Sequence, residues 1–192
     1  MEIEDIRREI ASTPLLLDNI ISSLSSPYAN VRCAAAQCTR SLSRSINIMK
    51  TALLDTNAAP ALAKLLMSNR SAEPAAKVTS MDTEEAPTEE ECNEDEDILT
   101  HLATLAVLCN VFLEFSPLKT VLLETPGLVE RVVKMSKGSQ GSRTGKESEE
   151  KQAARSLLRH HALSTVRNMT YWSSSSLKAM TVEYLGWDYI VG

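Results

Sequence analysis

The sequence predicts an all-α chain folded as a solenoid of stacked helices, and three observations predict it. The first is a recurring helical phrase. Leu102-Ala-Thr-Leu-Ala-Val-Leu-Cys-Asn110-Val and His160-His-Ala-Leu-Ser-Thr-Val-Arg-Asn168-Met both close on asparagine. Val31-Arg-Cys-Ala-Ala-Ala-Gln-Cys-Thr-Arg-Ser41-Leu has the same apolar spacing with Ser41 in that slot. The second is the absence of any sustained period-two stretch of the kind a half-buried strand requires. The third is the interval between copies. Once two polar inserts are removed, Ser41 to Asn110 and Asn110 to Asn168 each shrink to roughly 42 positions, within the period of two- and three-helix repeats. A unit of that kind buries its apolar face against its neighbours, so the chain is expected to offer a binding surface and no catalytic pocket.

The elements follow in order. Pro14 to Leu24 carries Leu15, Leu16, Ile20, Ile21 and Leu24 at helical spacing. Pro27 and Asn30 punctuate, and Val31 to Leu42 continues as a helix whose alanines and cysteines let neighbours approach closely. Ile46 to Leu54 is a further amphipathic stretch, Asn57 marks a break, and Pro60 to Met67 begins the next helix. From 68 to 97 the pattern collapses into Pro, Ser, Thr and carboxylates, which cannot bury enough apolar surface to offset ordering entropy. It reads as a disordered acidic insert, either a simple solvated loop or an interaction tail with phosphorylatable Ser80, Thr83 and Thr88.

Ile98 to Phe115 is the strongest helical stretch, with Ile98, Leu102, Leu105, Leu108, Val111 and Phe112 on its apolar positions. Ser116-Pro117 starts the next helix, Leu118 to Leu123. Pro126-Gly127 makes a corner before Leu128 to Met135. The segment 136–151 is a Gly/Ser-rich insert. Ala153 to Tyr171 is the last long helix, followed by Ser176 to Leu185, a corner at Gly186, and a new helix starting at Trp187. The chain 1–192 therefore reads as one array with units at about 14–43, 46–115 and 117–171 and a partial unit at 175–192. Trp187-Asp-Tyr-Ile-Val is not the polar cap that a terminal repeat needs, so a longer array is expected.

Composition narrows the function. The 192 residues are 43% hydrophobic, enough for one sizeable core. The start, Met1-Glu-Ile-Glu-Asp, is unlike a signal peptide, and no apolar run is long enough to span a membrane. Cys33, Cys38, Cys92 and Cys109 have neither metal-ligand nor disulfide-framework spacing, which fits reduced thiols in the cytoplasm or nucleus. The net charge of −5 conceals a division: Asp82 to Asp97 holds ten carboxylates, and without them the remainder stands at +5. Few aromatics and no clustered basic stripe argue against nucleic acid.

No residue set carries catalysis, a cofactor or a metal. His160 and His161 are adjacent, about 100° apart on a helix, with no His or Cys partner one turn away. The cysteines of the small-residue helices read as packing. Lys137 to Lys146 superficially echoes a phosphate loop, but it lacks the glycine spacing and the preceding strand and is followed by Glu147. No small-molecule substrate is implied.

These phrases resemble armadillo repeats. Thr125-Pro-Gly-Leu-Val-Glu-Arg-Val-Val is similar to the family's glycine junction, and Leu105 to Val111 to the end of its third helix. More narrowly, Val31 to Cys38 with Ser41-Leu-Ser-Arg-Ser45, Leu108-Cys-Asn-Val-Phe-Leu-Glu-Phe-Ser-Pro117, and His161 to Met169 resemble the armadillo-repeat scaffold subunit of the GID/CTLH ubiquitin-ligase complex. That resemblance implies a right-handed superhelix of three-helix repeats. It also implies a non-catalytic scaffold, holding a substrate receptor to a ring-type catalytic core for ubiquitin-dependent degradation. The other reading is an independent armadillo peptide-binding adaptor in transport or signalling.

In the family, the repeated asparagine lines a groove and binds the backbone of an extended peptide. Carried onto this chain, the groove comprises Gln37, Ser41 and Arg44, then Ala106, Asn110 and Leu113, then Ser164, Asn168 and Tyr171. The other reading of Asn110 and Asn168 is that each satisfies polar groups between helices. Importin-type members carry tryptophan one turn before the asparagine. Gln37, Ala106 and Ser164 stand there instead, so binding of basic nuclear-localisation peptides is not implied.

Overall fold

The computed structural model describes residues 3–13, 15–45, 52–68, 89–113, 117–138, 149–171 and 173–191, and among them every regular element is a helix. In chain order these are α1 (Ile3–Ser12), α2 (Leu16–Ser23), α3 (Ala29–Leu42), α4 (Ala52–Asp55), α5 (Ala58–Met67), α6 (Glu89–Leu113), α7 (Pro117–Glu124), α8 (Leu128–Lys137), α9 (Glu149–Thr170), α10 (Ser175–Leu185) and α11 (Trp187–Val191). The expectations for 46–51, 69–88, 114–116 and 139–148 lie outside the described residues.

The long helices form a row. α6 packs extensively against α3 on one side and α9 on the other. Its centre is apolar all round, as a helix with neighbours on both flanks must be: Ala103, Leu105, Val107 and Leu108 are fully buried. Close approach along this row comes from small residues. Ala35 and Ala36 of α3, Ala103 and Thr104 of α6, and Ala162 and Thr165 of α9 are all buried. The buried hydroxyls are satisfied within their own helices: Thr39 donates to the Ala35 carbonyl at 2.8 Å, Thr104 to Thr100 at 2.8 Å and Thr165 to His161 at 2.8 Å.

A second row runs behind the first, where α5 touches α2 and α8. The short helices repeat a placement. α7 lies on α5 and α6, as α10 lies on α8 and α9. The corners that enter α8 and α11 are the same device, Gly127 at φ 79° and Gly186 at φ 77°, a left-handed backbone that glycine adopts without steric cost. Helix ends in the second row are closed by cations from neighbours. Arg131 Nε of α8 donates to the Leu66 carbonyl of α5 at 3.1 Å, and Arg159 Nε of α9 to the Ser136 carbonyl of α8 at 3.1 Å. A positive group at a helix C-terminus meets both unpaired carbonyls and the negative end of the dipole.

Four expectations change. The N-terminal residues 3–12 form a helix, α1, which the sequence reading did not assign; the Ser45 hydroxyl and Arg7 hold its Glu4 carboxyl below the ordinary range and tie the helix to the end of α3. α2 begins at Leu16 because Leu15 takes a left-handed φ of 62°. The segment assigned to the acidic insert is helical from Glu89 to Asp97, continuous with α6. Once Ile98 to Leu113 is packed, extending the helix backwards needs only propagation, and carboxylates at a helix start are favoured by its dipole. In the same way Ser136 and Lys137 belong to α8 and Glu149 to Lys151 to α9, which shortens the second insert at both ends.

Substituting Leu108 should report on this row. Leu108→Ala is expected to cost about 2–5 kcal/mol through the cavity it leaves. Leu99→Ala, at a half-exposed position of the same helix, is expected to cost under about 1 kcal/mol. Urea unfolding followed by circular dichroism measures both, and equal costs would mean that α6 is not the central helix.

Candidate functional site

The groove residues divide by burial. Gln37, Ser41 and Arg44 are exposed along α3 and the turn that follows it. On α6, Ala106 is buried at 7% exposure, Asn110 is half-buried and Leu113 is 60% exposed. On α9, Ser164 is half-buried, Asn168 is buried at 4% exposure, and Tyr171, just past its end, is 64% exposed.

The two asparagines work between helices. Asn110 Nδ2 donates to Ser43 Oγ at 2.9 Å, tying α6 to the cap of α3. Asn168 Nδ2 donates to the Cys109 carbonyl at 3.1 Å and Cys109 Sγ at 3.0 Å, tying α9 to α6. Asn168 is too buried to offer its amide to a peptide backbone, and its donors are already engaged. Of the two readings of this residue, the geometry supports the interhelical one. Burial pushes the Cys109 thiol above its usual range, while Arg167 and the Asn168 hydrogen bond act in the opposite direction.

These ties gather the C-terminal ends of the three long helices at one edge. Arg44 follows Ser43, Leu113 lies one turn past Asn110, and Tyr171 lies one turn past Asn168. Lys119 of α7 joins the edge, its Nζ donating to the Phe112 carbonyl at 3.2 Å and to the Tyr171 carbonyl at 3.4 Å. Its desolvation lowers the amine below the usual lysine range. Sequence spacing gave no signal for Lys119, because its role depends on where α7 lies.

Along most of their length the long helices carry charge of one sign. α3, α6 from Ile98 onward and α9 from Lys151 onward contain no Asp or Glu, while Arg40, Arg44, Arg155, Arg159 and Arg167 stand on or next to them. His161 on α9 is held below its ordinary pKa, first by burial, then by Arg40 of α3 and by His160. The His160 and His161 rings meet edge-on at 6.2 Å. Among the described residues no three His, Cys, Asp or Glu side chains cluster as a metal site would require, and no helix is long and apolar enough to cross a membrane.

A cleft of about 770 Å³ opens between α9 and α10. Val166, Thr170, Val182 and Leu185 are among the residues of its wall, and Arg167 and Lys178 stand on it as cations. Sequence reasoning passed over both, although Leu163 and Arg167 lie one turn apart on the stripe that leads to Tyr171.

No protein-family model matches the chain, and no solved structure matches it. It is 29% identical over 187 residues to "Armadillo repeat-containing protein 8" of Danio rerio, an alignment covering 97% of this chain and 21% of that protein. With the protein of the same name from Pongo abelii it is 33% identical over 127 residues, covering 66% of this chain and 15% of the relative. The Mus musculus protein gives 27% over 176 residues, covering 92% and 20%. The chain thus spans about a fifth of the length of the curated relatives it matches. These relatives bear out the armadillo-repeat resemblance carried by the three phrases.

Two outcomes follow from the buried polar groups. Asn168→Ala should destabilise the fold by about 1–3 kcal/mol, because it removes the buried hydrogen bonds that tie α9 to Cys109. Asn110→Ala, half-buried and paired with a hydroxyl that can turn, should cost less, and denaturant midpoints rank the two. His161, with its folded pKa below the unfolded value, binds fewer protons folded than unfolded between those two values. Stability is therefore full above the unfolded pKa and falls as pH drops towards the folded one. His161→Gln should flatten the fall of thermal stability as pH drops below about 6.5; an unchanged slope would place the pH dependence elsewhere.

Proposed function

We propose that this armadillo-repeat protein acts as a non-catalytic scaffold of a GID/CTLH-type ubiquitin-ligase assembly, working in the cytoplasm and nucleus. In that role its helix row holds a substrate receptor against a ring-type catalytic core, so that bound proteins are marked for degradation. The observation that carries this reading is the sandwiching of α6 between α3 and α9, which leaves exposed the rim of their C-terminal ends: Arg44, Leu113 and Tyr171. The kinship with proteins named for armadillo repeats and the phrases shared with the ligase scaffold support it. So does the reappearance of one packing unit, α5 and α6 with α7, then α8 and α9 with α10. Continued in the same sense, that unit builds a right-handed superhelix whose flank serves protein partners.

Affinity purification of the tagged protein should recover ring-type ligase subunits together with a substrate receptor. Leu113→Asp with Tyr171→Asp should reduce that recovery at least about tenfold while leaving the helical signal intact. The isolated chain should transfer no ubiquitin. Transfer without partners, or recovery of transport receptors alone, would overturn the scaffold reading.

A further inference from the structure

Lys119 joins two helix ends of like polarity. α6 and α9 lie side by side with their C-terminal ends at one edge, so the negative ends of two dipoles stand next to each other. Lys119 of α7 bridges them, its Nζ donating to the Phe112 carbonyl at 3.2 Å and to the Tyr171 carbonyl at 3.4 Å. Carbonyls at a helix end have no intrahelical donor, so the ammonium supplies both the missing hydrogens and a counter-charge. Among the described residues no carboxylate forms an ion pair with this amine. Desolvation holds it below the ordinary lysine range. The bond to Tyr171 is nevertheless exposed. This placement does not depend on how the row continues, because Lys119 sits between two helices that already pack on each other.

We propose that Lys119 is a site of N-acetylation, and that acetylation there unpins the end of α9 from the end of α6. A lysine amine reacts as the free base, and an amine desolvated by its surroundings, with no carboxylate to hold its proton, yields that base more readily than an open one. The co-reactant is an acetyl thioester. The neutral Nζ attacks its carbonyl carbon, the N–C bond forms, the C–S bond breaks, and the thiol leaves with the proton that the nitrogen sheds. What remains is an amide with one N–H and no charge. It can keep one of the two carbonyls at most, and the two dipole ends then face each other without a counter-charge. The inference goes beyond the ligase reading and holds whichever assembly the chain serves.

Two measurements on the full chain test it. In the first, the chain is incubated with acetyl-coenzyme A at about pH 8, and acetylation is mapped over time by mass spectrometry. Lys119 should be modified at least about threefold faster than the exposed Lys64, Lys134, Lys137 and Lys178. Equal or slower modification would overturn the assignment. In the second, acetyl-lysine is installed at position 119 during synthesis, and amide hydrogen exchange is followed by NMR. Exchange over residues 169–171 should rise at least about fivefold, while residues 162–166 at the centre of α9 stay unchanged. Lys119→Gln, also neutral, should reproduce the rise. Lys119→Arg keeps the charge and the donors and should exchange like the unmodified chain. Unchanged exchange in the acetylated chain, an equal rise in Lys119→Arg, or a rise that spreads to the centre of α9 would each overturn the proposal. Because only this chain is present, failure here leaves recovery of ligase subunits untouched.

Discussion

The fold depends on α6 being able to accept a helix on each side. A helix in that position has no solvent face to spare, so every polar group along its middle must be satisfied internally. Thr104 does this by bonding back to Thr100, and Thr39 and Thr165 do the same on the flanking helices. Threonine at these positions is as small as valine, allows close helix approach, and satisfies its hydroxyl within its own helix, Thr165 also reaching the Leu105 carbonyl of α6 at 3.3 Å. The alanines complete the fit. A larger side chain at Ala103 or Ala162, both fully buried, would force the row apart and break the hydrogen bonds at its end.

Those end bonds explain why asparagine recurs in the phrase. The C-terminal end of a long helix carries unpaired carbonyls, and a neighbour that arrives there must either bring donors or leave buried acceptors unsatisfied. Asn168 brings two hydrogens to Cys109, and Asn110 brings one to Ser43. Lys119 supplies a charge to the carbonyls of Phe112 and Tyr171. The same logic closes the second row through Arg131 and Arg159. These interhelical polar contacts sit near helix ends, whereas the bond from Thr165 to the Leu105 carbonyl reaches the middle of α6.

Much of this was legible in sequence. Helical spacing located α2, α3, α5, α6, α9 and α10, and Gly127 and Gly186 marked real corners. Two things were not legible. Composition argued against order from Glu89 to Asp97 because those residues are almost all polar, yet a helix already nucleated by Ile98 to Leu113 extends at little cost, and acidic residues suit its start. Spacing also put Asn110, Asn168, Gln37 and Ser164 on a common face, but periodicity names a face without saying whether another helix covers it. That depends on where α6 and α9 meet, a property of pairs of helices. Asn168 is covered and Gln37 is open for that reason alone.

The contrast between Leu105 and Leu163 follows from the same geometry. Repeat positions with equal roles should show equal burial wherever the stack continues, and these two differ because α9 covers the first and no helix among the described residues covers the second. On α9, Leu163 is 39% exposed while Val166 turns into the cleft that Val182 and Leu185 of α10 also line.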